Sequence, residues 1–458
     1  MGENKLYDLI VLGGGPAGYL GAERAAEKGY KTLLIEKKFL GGVCLNEGCI
    51  PSKTFLNSAK IYDKARYSED YGITAENVSY DHSRALKRKN KVVKTLVAGI
   101  RNQLKKNQVK IVEGKGIVQK RGDTGYQIKV NDKTYTGKRL LLATGSKPMT
   151  PPIPGLKENL NNGFLITNRE ILDVEEIPQS LIIIGGGIVG LEMGSYFNSV
   201  GSEVTVVEML DHIGGNIDKD ISQRLLKVYQ KKGIDFKLNS KVTEIKEGKI
   251  IYENENKEIE ITGDRALLAI GRTPVVNNIG LENIGVEVES GRIKVDEKGQ
   301  TNLPGVYAAG DVNGKSMLAH TAYREAEVCI NNMTNKKDIM RYHAVPGVIY
   351  TNPEVAWVGE TVESAQKKNI NYEVSTIPMR YSGRYVAETK RGNGICKVLI
   401  DKKYRKLIGV HMMGNYASEI IYGAAMMIEN ELRVEDIKEL IFPHPTVSEI
   451  IRENIFQF

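Results

Sequence analysis

The chain carries one local pattern twice, and this repetition constrains its fold more than any other feature. A short apolar strand leads into a glycine-rich turn at residues 13–18 and again at residues 185–190. A helical segment follows each turn, and the next strand ends on an acid, Glu36 in the first copy and Glu208 in the second. A strand, a glycine-rich turn, a helix and an acid-ended strand are together typical of a nucleotide-binding βαβ unit. The repeat therefore predicts an α/β fold that contains two Rossmann-like units.

The three glycines of each turn have separate roles in such a unit. The first permits a tight bend, the second lets a pyrophosphate approach the helix N-terminus, and the third lets the helix pack closely on the strand. Glu36 and Glu208 can each accept hydrogen bonds from a ribose diol. Glu208 would repel the 2′-phosphate of NADP and Gly190 suits NAD, so the second copy is predicted to bind NAD. The alternatives are a turn without a ligand and a Glu208 that is only a surface charge. The glycines are Gly13, Gly15 and Gly18 in the first copy and Gly185, Gly187 and Gly190 in the second.

The two copies also end alike. The sequence Leu-Leu-Ala-Thr-Gly-Ser-Lys-Pro at 141–148 is matched by Leu-Leu-Ala-Ile-Gly-Arg-Thr-Pro at 267–274. Four prolines within residues 147–155 indicate a stiff connection between domains. A further unit, with β-rich pieces and helical runs at 415–430 and 434–441, begins near Arg341. With 458 residues the chain is long enough for several domains with sizeable cores.

A stretch that begins at Gly41, five residues beyond the first acid-ended strand, contains a pair of cysteines. Cys44 and Cys49 are separated by four residues, and Pro51 suits the first turn of a helix that starts beside them. A cysteine at a helix N-terminus is stabilised as a thiolate by the helix dipole, and Lys53 adds a nearby positive charge. The pair is therefore a candidate disulfide/dithiol couple. A purely structural disulfide and half of a zinc site are the alternatives.

The rest of the composition narrows the class of protein. A zinc site would need two more ligands, but Cys329 and Cys396 are isolated and no His lies near them, so no metal is predicted. Four cysteines in so long a chain do not form a secreted disulfide scaffold, and no signal-peptide pattern or membrane-length apolar run is present. We therefore expect an intracellular, cytoplasmic protein without a membrane contact.

The net charge of +8 raises the question of nucleic-acid binding. The basic residues concentrate within 84–106, where they alternate with apolar residues at helical spacing. Such a run indicates an amphipathic helix with a solvated face. Because no nucleic-acid motif accompanies it, nucleic-acid binding is not expected.

Two further motifs in the last third of the chain carry candidate chemistry. His444 is followed five residues later by Glu449, and a histidine with a carboxylate to orient it can act as a general base. Asp311, after the strand that contains Ala309 and Gly310, can offer a carboxylate to a cofactor hydroxyl. A plain turn at Asp311 and an ordinary surface histidine at 444 are the alternatives.

Taken together, these motifs resemble the FAD- and NAD(P)-dependent pyridine nucleotide–disulfide oxidoreductases over essentially the whole chain. The pattern Cys-x-Asn-x-Gly-Cys-x-Pro-Ser-Lys, from Cys44 to Lys53, is highly specific for that family. The resemblance implies a homodimer with FAD and NAD as cofactors and a C-terminal α+β dimerisation domain. The implied limits are 1–147 and 274–340 for the two parts of the FAD and central domain, 148–273 for the NAD domain and 341–458 for the dimerisation domain.

The resemblance also implies a role for each site residue. Cys44 would exchange with the substrate, Cys49 would face the flavin, and His444 with Glu449 would act as the base from the partner subunit. Lys53 and Glu192 would form an ion pair beside the flavin. The implied FAD contacts are Gly13, Gly15, Gly18, Glu36, Lys53, Gly116, Thr144, Gly145, Asp311 and Ala319, and the implied NAD contacts are Gly185, Gly187, Gly190, Glu208, Gly271 and Arg272.

Within the family, the chain is most similar to the branch that oxidises protein-bound dihydrolipoyl groups with NAD⁺. The glutathione reductases use NADP and have an aromatic residue where Ile188 stands here, mercuric reductases carry a C-terminal cysteine pair, and soluble transhydrogenases lack the cysteine couple. The implied partner is the lipoyl-bearing carrier of a 2-oxoacid dehydrogenase complex or of the glycine cleavage system. One departure is that Phe442 and Pro443 replace the usual His-Ala before His444. An NADH-dependent reductase of another small disulfide and a flavin-binding interaction protein without turnover are the alternatives.

Overall fold

The computed structural model describes residues 6–390 and 392–458. The strands in these ranges are, in chain order, β1 (Leu6–Leu12), β2 (Thr32–Glu36), β3 (Lys110–Glu113), β4 (Gly116–Gly122), β5 (Gly125–Val130), β6 (Lys133–Leu142), β7 (Ser146–Pro148), β8 (Leu165–Ile166), β9 (Ser180–Ile184), β10 (Glu203–Val207), β11 (Asp235–Lys237), β12 (Lys241–Lys246), β13 (Lys249–Asn254), β14 (Lys257–Thr262), β15 (Arg265–Leu268), β16 (Arg272–Pro274), β17 (Val288–Glu289), β18 (Arg292–Ile293), β19 (Val306–Ala308), β20 (Gly347–Ile349), β21 (Val355–Gly359), β22 (Tyr372–Pro378), β23 (Ile395–Asp401) and β24 (Leu407–Met413).

The α-helices are α1 (Pro16–Glu27), α2 (Gly42–Glu47), α3 (Cys49–Arg66), α4 (His82–Lys106), α5 (Leu156–Asn162), α6 (Ile188–Ser199), α7 (Lys219–Lys231), α8 (Ala319–Met333), α9 (Val362–Lys367), α10 (Gly383–Glu388), α11 (Ala417–Glu429), α12 (Val434–Lys438) and α13 (Glu449–Ile455). Short 3-10 helices cover Ser68–Tyr71, Glu170–Leu172, Asp311–Asn313 and Met379–Tyr381.

The chain forms two compact units, each built from three segments. The first unit contains residues 6–54, 87–149 and 271–341, and the second contains residues 55–86, 150–270 and 342–458. The division of the chain into separate FAD, NAD and dimerisation domains at the predicted limits stays a prediction.

The first unit is built on a mixed sheet in the order β3-β2-β1-β6-β5-β4. Its parallel part contains β3, β2, β1 and β6, and β19 pairs in parallel with the last residues of β6. The central strand β1 is apolar and fully buried at Leu9, Ile10 and Val11, as expected for a parallel strand covered on both faces. The predicted strand, turn, helix and strand are present as β1, the turn, α1 and β2.

The second unit repeats this arrangement in a parallel sheet of order β11-β10-β9-β15-β8. Ile183 of β9 lies opposite Val206 of β10 on one side and Leu267 of β15 on the other. An antiparallel meander, β12-β13-β14, follows. The C-terminal segment adds an antiparallel sheet of order β20-β21-β24-β23-β22, with the helices α11 to α13.

The helices of the structure differ from the predicted ones at a few positions. α4 covers the predicted basic stretch, but Lys89 is buried rather than part of a solvated face, and Leu96 is exposed. α12 ends at Lys438, three residues before the predicted end, and α13 was not predicted at all. Among the described residues, no helix is both long and apolar enough to cross a membrane.

Candidate active site

The first glycine-rich turn has a geometry that only glycine can adopt at two positions. Gly13 has φ of +107°, and a Cβ atom there would lie 2.2 Å from the carbonyl oxygen of Ala143. A Cβ at Gly18 would lie 1.8 Å from the carbonyl oxygen of Gly13. By contrast, the backbone of Gly15 is extended and the nearest atom to an added Cβ is 3.8 Å away. The turn is therefore tight at its two ends and open in the middle, as a cradle for a pyrophosphate requires.

The acid at the end of β2 holds this turn in place. One carboxylate oxygen of Glu36 accepts the backbone N–H of Gly14 at 2.6 Å, and the other accepts the backbone N–H of Lys38 at 2.7 Å. A carboxylate offers about four lone-pair sites, so about two stay available for the hydroxyls of a ribose. Glu36 thus fits its predicted role as a ribose ligand.

The second turn reproduces the first contact by contact. Gly185 has φ of +106°, and a Cβ at Gly190 would lie 2.1 Å from the carbonyl oxygen of Gly185. Glu208 accepts the N–H of Gly186 at 2.6 Å and that of Leu210 at 2.8 Å. Around Gly187, no atom lies within 4 Å of an added Cβ. The second turn therefore also fits a dinucleotide, and its acid would reject a 2′-phosphate.

Asp311 takes part in a chain of side-chain hydrogen bonds in the first unit. The Ser146 hydroxyl donates to the Asp311 carboxylate and accepts from Nε of Arg272 at 2.6 Å. Thr144 donates its hydroxyl to the carbonyl of Val275 at 2.7 Å. Arg272, predicted to contact NAD, belongs to the first unit. It hydrogen-bonds to Ser146, which follows the predicted FAD contact Gly145 and also hydrogen-bonds to the predicted FAD contact Asp311.

The remaining predicted cofactor residues of the first unit lie on three elements. Gly116 is the first residue of β4, and a Cβ there would lie 2.4 Å from a methyl group of Leu12. Ala319 is the first residue of α8. Gly145 and Gly271 both have positive φ, +68° and +118°, and so continue the two loops that follow β6 and β15. Their roles as cofactor contacts stay predictions.

The two cysteines lie on two adjoining helices. Cys44 lies in the middle of α2 and Cys49 is the first residue of α3, as the predicted helix N-terminus requires. Both are half-buried thiols in this structure. The hydrogen bond with Cys49 and burial raise the pKa of the Cys44 thiol, while the charge of Lys53 acts in the opposite direction. The pair is close enough to interconvert between dithiol and disulfide, and Lys53 is the cation that favours a thiolate.

A pair of tyrosines beside the cysteines was missed in the sequence. The hydroxyls of Tyr19 on α1 and Tyr323 on α8 lie 2.5 Å apart. Burial raises the pKa of both phenols, and negative charge at Cys44 and Cys49 raises it further. No local signal distinguishes these residues from core aromatics, because they are 304 positions apart.

The predicted base is assembled in the second unit. Nδ1 of His444 lies 2.9 Å from one carboxylate oxygen of Glu449, the first residue of α13. The other oxygen accepts the backbone N–H of Thr446 at 2.9 Å. The Thr446 N–H and the contact with His444 hold the pKa of Glu449 below its usual value. The His444 side chain is 78% exposed, so this imidazole is open to a second molecule.

Glu192 is the remaining predicted site residue. It lies on α6 with 3% of its surface exposed, and its carboxylate accepts the backbone N–H of Tyr350 at 3.0 Å. Its predicted ion pair with Lys53, which belongs to the first unit, stays a prediction. No group of three or more metal-ligating side chains occurs within residues 6–390 and 392–458.

Two family models match the chain. The model of the pyridine nucleotide-disulphide oxidoreductases covers residues 7–326, and the model of their dimerisation domain covers residues 345–455. The chain therefore belongs to the pyridine nucleotide-disulphide oxidoreductases, enzymes that use FAD and NAD as cofactors. This result confirms the predicted fold class, enzyme class and cofactors, and the dimerisation domain indicates a homodimer.

Two similar proteins from distant organisms are both dihydrolipoyl dehydrogenases. Dihydrolipoyl dehydrogenase of Mycoplasma genitalium is 37% identical over 451 residues, which covers 98% of this chain and 97% of that protein. Human mitochondrial dihydrolipoyl dehydrogenase is 38% identical over 461 residues, which covers 97% and 89%. Among solved structures, LpdA of Mycobacterium tuberculosis has a TM-score of 0.87 at 25% identity over 98% of this chain and 99% of that one. The Cu(II) complex of RclA, a flavoprotein disulfide reductase of Escherichia coli, has a TM-score of 0.86 at 26% identity over 99% of both chains.

Proposed function

We propose that the protein is a dihydrolipoyl dehydrogenase, which oxidises protein-bound dihydrolipoyl groups and reduces NAD⁺ to NADH. The observation that carries this proposal is the Cys44–Cys49 pair, two thiols in contact beside Lys53. It occurs in a chain whose relatives of that name match over 97–98% of its length. A dithiol couple next to a cation is the chemistry that a 1,3-dithiol substrate, which closes to a cyclic disulfide, requires.

The thiol exchange needs a base, and His444 with Glu449 fits that role. A carboxylate oxygen can only accept a hydrogen bond, so Nδ1 of His444 carries the proton and Nε2 offers the lone pair. Nε2 would take the proton from one substrate thiol. The exposure of the imidazole fits a base that serves the partner subunit of the homodimer.

The exchange then proceeds in two balanced steps. The substrate thiolate attacks Cys44 in the oxidised couple, which forms a mixed disulfide and releases Cys49 as a thiolate. The second substrate thiol attacks the substrate sulfur of the mixed disulfide, which closes the lipoyl ring and releases Cys44. The departing Cys44 sulfur takes up the proton of that second thiol. The substrate has lost two electrons, and the couple is left reduced with Lys53 beside it.

The residues that would hold the cofactors are those of the two glycine-rich turns. The open space at Gly15 and Gly187 and the part-occupied carboxylates of Glu36 and Glu208 fit FAD in the first unit and NAD in the second. We propose Gly116, Thr144, Gly145, Asp311 and Ala319 as further FAD contacts, and Gly271 and Arg272 as further NAD contacts. When bound, FAD supplies the two-electron transfer that links the thiol couple to NAD⁺. Lys53 and Glu192 would be the charged side chains beside the flavin.

The physiological partner would be a lipoyl-bearing carrier protein of a 2-oxoacid dehydrogenase complex or of the glycine cleavage system. We also propose a cytoplasmic location, because the two cysteines outside the redox couple, Cys329 and Cys396, are buried and form no disulfide, which is typical of a reducing compartment. Cell fractionation with an antibody against the chain tests the location. Co-purification with lipoylated protein, detected with an anti-lipoyl antibody, tests the partner.

Side-by-side turnover tests the substrate. Purified enzyme is assayed with dihydrolipoamide and NAD⁺, and in reverse with NADH and either lipoamide or glutathione disulfide. The expected result is that lipoamide exceeds glutathione disulfide by a factor of at least ~10² in kcat/KM, because a poorly fitting disulfide loses transition-state contacts. A faster rate with another small disulfide would refute the proposal and favour a general disulfide reductase. A flavin that NADH bleaches but no disulfide recolours would indicate a protein without turnover.

A further inference from the structure

An acidic residue lies inside the cysteine loop of the first unit. Glu47 follows Cys44 by three residues on α2 and precedes Cys49 by two. Residues three apart on a helix share a face, with Cβ atoms about 5–6 Å apart. Only 11% of the Glu47 side chain is exposed. A carboxylate so placed opposes the formation of a thiolate unless its charge is neutralised.

Lys38 provides that neutralisation. Its ammonium group forms an ion pair with Oε1 of Glu47, and the same group lies 4.8 Å from the centre of the Phe39 ring. Its backbone N–H donates to the carboxylate of Glu36 at 2.7 Å. Lys38 is therefore held between the ribose-binding acid and the cysteine loop.

The loop itself cannot easily move the carboxylate away. Asn46, the neighbour of Glu47, donates its side-chain amide to the carbonyls of Leu40 at 3.0 Å and Gly42 at 2.9 Å. The backbone N–H of Gly41 donates to the carbonyl of Gly14 at 2.8 Å. Because the loop is tied to the nucleotide turn, α2 keeps Glu47 on the same helix face as Cys44.

We propose that Lys38 is a positioning residue for the thiol couple, which keeps the charge of Glu47 from suppressing the Cys44–Cys49 thiolate. The inference rests on the proposed use of that thiolate in disulfide exchange. Lys53 is predicted to favour the thiolate directly through its own charge. Lys38 would be a second cation that acts indirectly, by neutralising Glu47.

The test measures the proton affinity of the thiols without a substrate. The holoenzyme is reduced with dithiothreitol, freed of reductant under argon and treated with iodoacetamide between pH 5 and 9, and alkylation is followed by mass spectrometry. Lys38→Met should raise the midpoint of the alkylation profile by about one pH unit, a tenfold loss of thiolate at fixed pH. Glu47→Gln should place it at or below the wild-type value. The double variant Lys38→Met/Glu47→Gln should lose the upward shift, because no carboxylate remains to be neutralised.

Three controls keep the result interpretable. Lys138→Met removes another cation of the first unit, 2.7 Å from Asp8, and should leave the midpoint unchanged. Lys38→Arg keeps the positive charge and should have the wild-type midpoint. This result would show that a shift in Lys38→Met comes from the lost charge and not from a misfolded loop. Cys329 and Cys396 are fully buried and should stay unmodified throughout.

An unshifted Lys38→Met profile would overturn the inference, and so would a shift that persists in the double variant or appears equally in Lys138→Met. Because no lipoyl compound is present, the experiment is independent of the proposed substrate. A shift rescued by Glu47→Gln in an enzyme that fails to use lipoamide would support Lys38 and refute only the proposed function.

Discussion

Replacing Glu449 by Gln tests the proposed base by changing which ring nitrogen of His444 carries the proton. In the structure, the Thr446 N–H donates to one oxygen of Glu449 and His444 contacts the other. A glutamine must keep its oxygen toward the Thr446 N–H, so its NH₂ group would take the position 2.9 Å from Nδ1. Nδ1 must then accept a hydrogen bond, and the ring proton moves to Nε2, where the substrate thiol needs a lone pair.

The expected size of the effect follows from that change of tautomer. A general base contributes about 10² to 10⁴ in rate, and the wrong tautomer removes most of this contribution. We expect Glu449→Gln and His444→Gln each to lower kcat for dihydrolipoamide oxidation by about 10²-fold or more. Glu449→Ala should be less damaging than Glu449→Gln, because it leaves the imidazole free to choose its tautomer. Flavin reduction by NADH, followed in a stopped-flow instrument, should barely change in any of the three.

A mixed dimer tests whether the base serves the partner subunit. Homodimers of His444→Gln or of Cys44→Ser should have no fully working site for dihydrolipoamide and so retain at most about 1% of the wild-type rate. Mixed dimers that combine the two variants should regain about one working site of the two in a symmetric dimer. If the mixed dimers are as inactive as their parents, either the shared site or the choice of base is wrong.

The proposed role of Glu449 in setting the tautomer of His444 is refuted if Glu449→Gln retains the wild-type rate.

Three further substitutions have distinct expected outcomes. Cys44→Ser should keep the long-wavelength flavin band of the Cys49 thiolate and lose lipoamide turnover, whereas Cys49→Ser should lose both. Glu208→Arg should shrink the preference for NADH over NADPH, because the charge that repels a 2′-phosphate is gone. Lys397→Met should lower the free energy of unfolding by about 3–5 kcal/mol in a urea titration, because it leaves the fully buried Asp218, 2.8 Å away, without its cation.

Each of these outcomes has a clear opposite. Indistinguishable spectra for the two cysteine variants would show that Cys44 and Cys49 do not have separate roles in substrate exchange and flavin contact. A wild-type enzyme that is faster with NADPH would refute the assignment of the second nucleotide. A loss below about 1 kcal/mol in Lys397→Met would place the pair in the range of a surface ion pair.

The elements that the sequence predicted well are those that depend on short-range rules. The glycines at 13 and 185 are required by a positive φ, which is a property of the turn itself. The carbonyls that a side chain there would meet, those of Ala143 and Ala269, come from distant strands and were not predictable. His444 and Glu449 are five residues apart, so the loop before α13 brings them together locally. The redox couple was equally readable, because the four residues between the cysteines are only the second half of α2 and Gly48.

The contacts that the sequence could not predict join distant parts of the chain. Tyr19 meets Tyr323 only because α1 and α8 pack around Gly310, whose Cβ position lies 3.3 Å from Ala17 and 3.4 Å from Ala322. The pairing of Lys38 with Glu47 depends on how the loop folds back on the nucleotide turn. The sequence by itself thus determined which residues carry the chemistry, since periodicity and backbone sterics act over a few positions. Which charges and hydroxyls surround that chemistry was decided by tertiary packing, because side chains far apart in the chain become neighbours only when the sheets and helices are assembled.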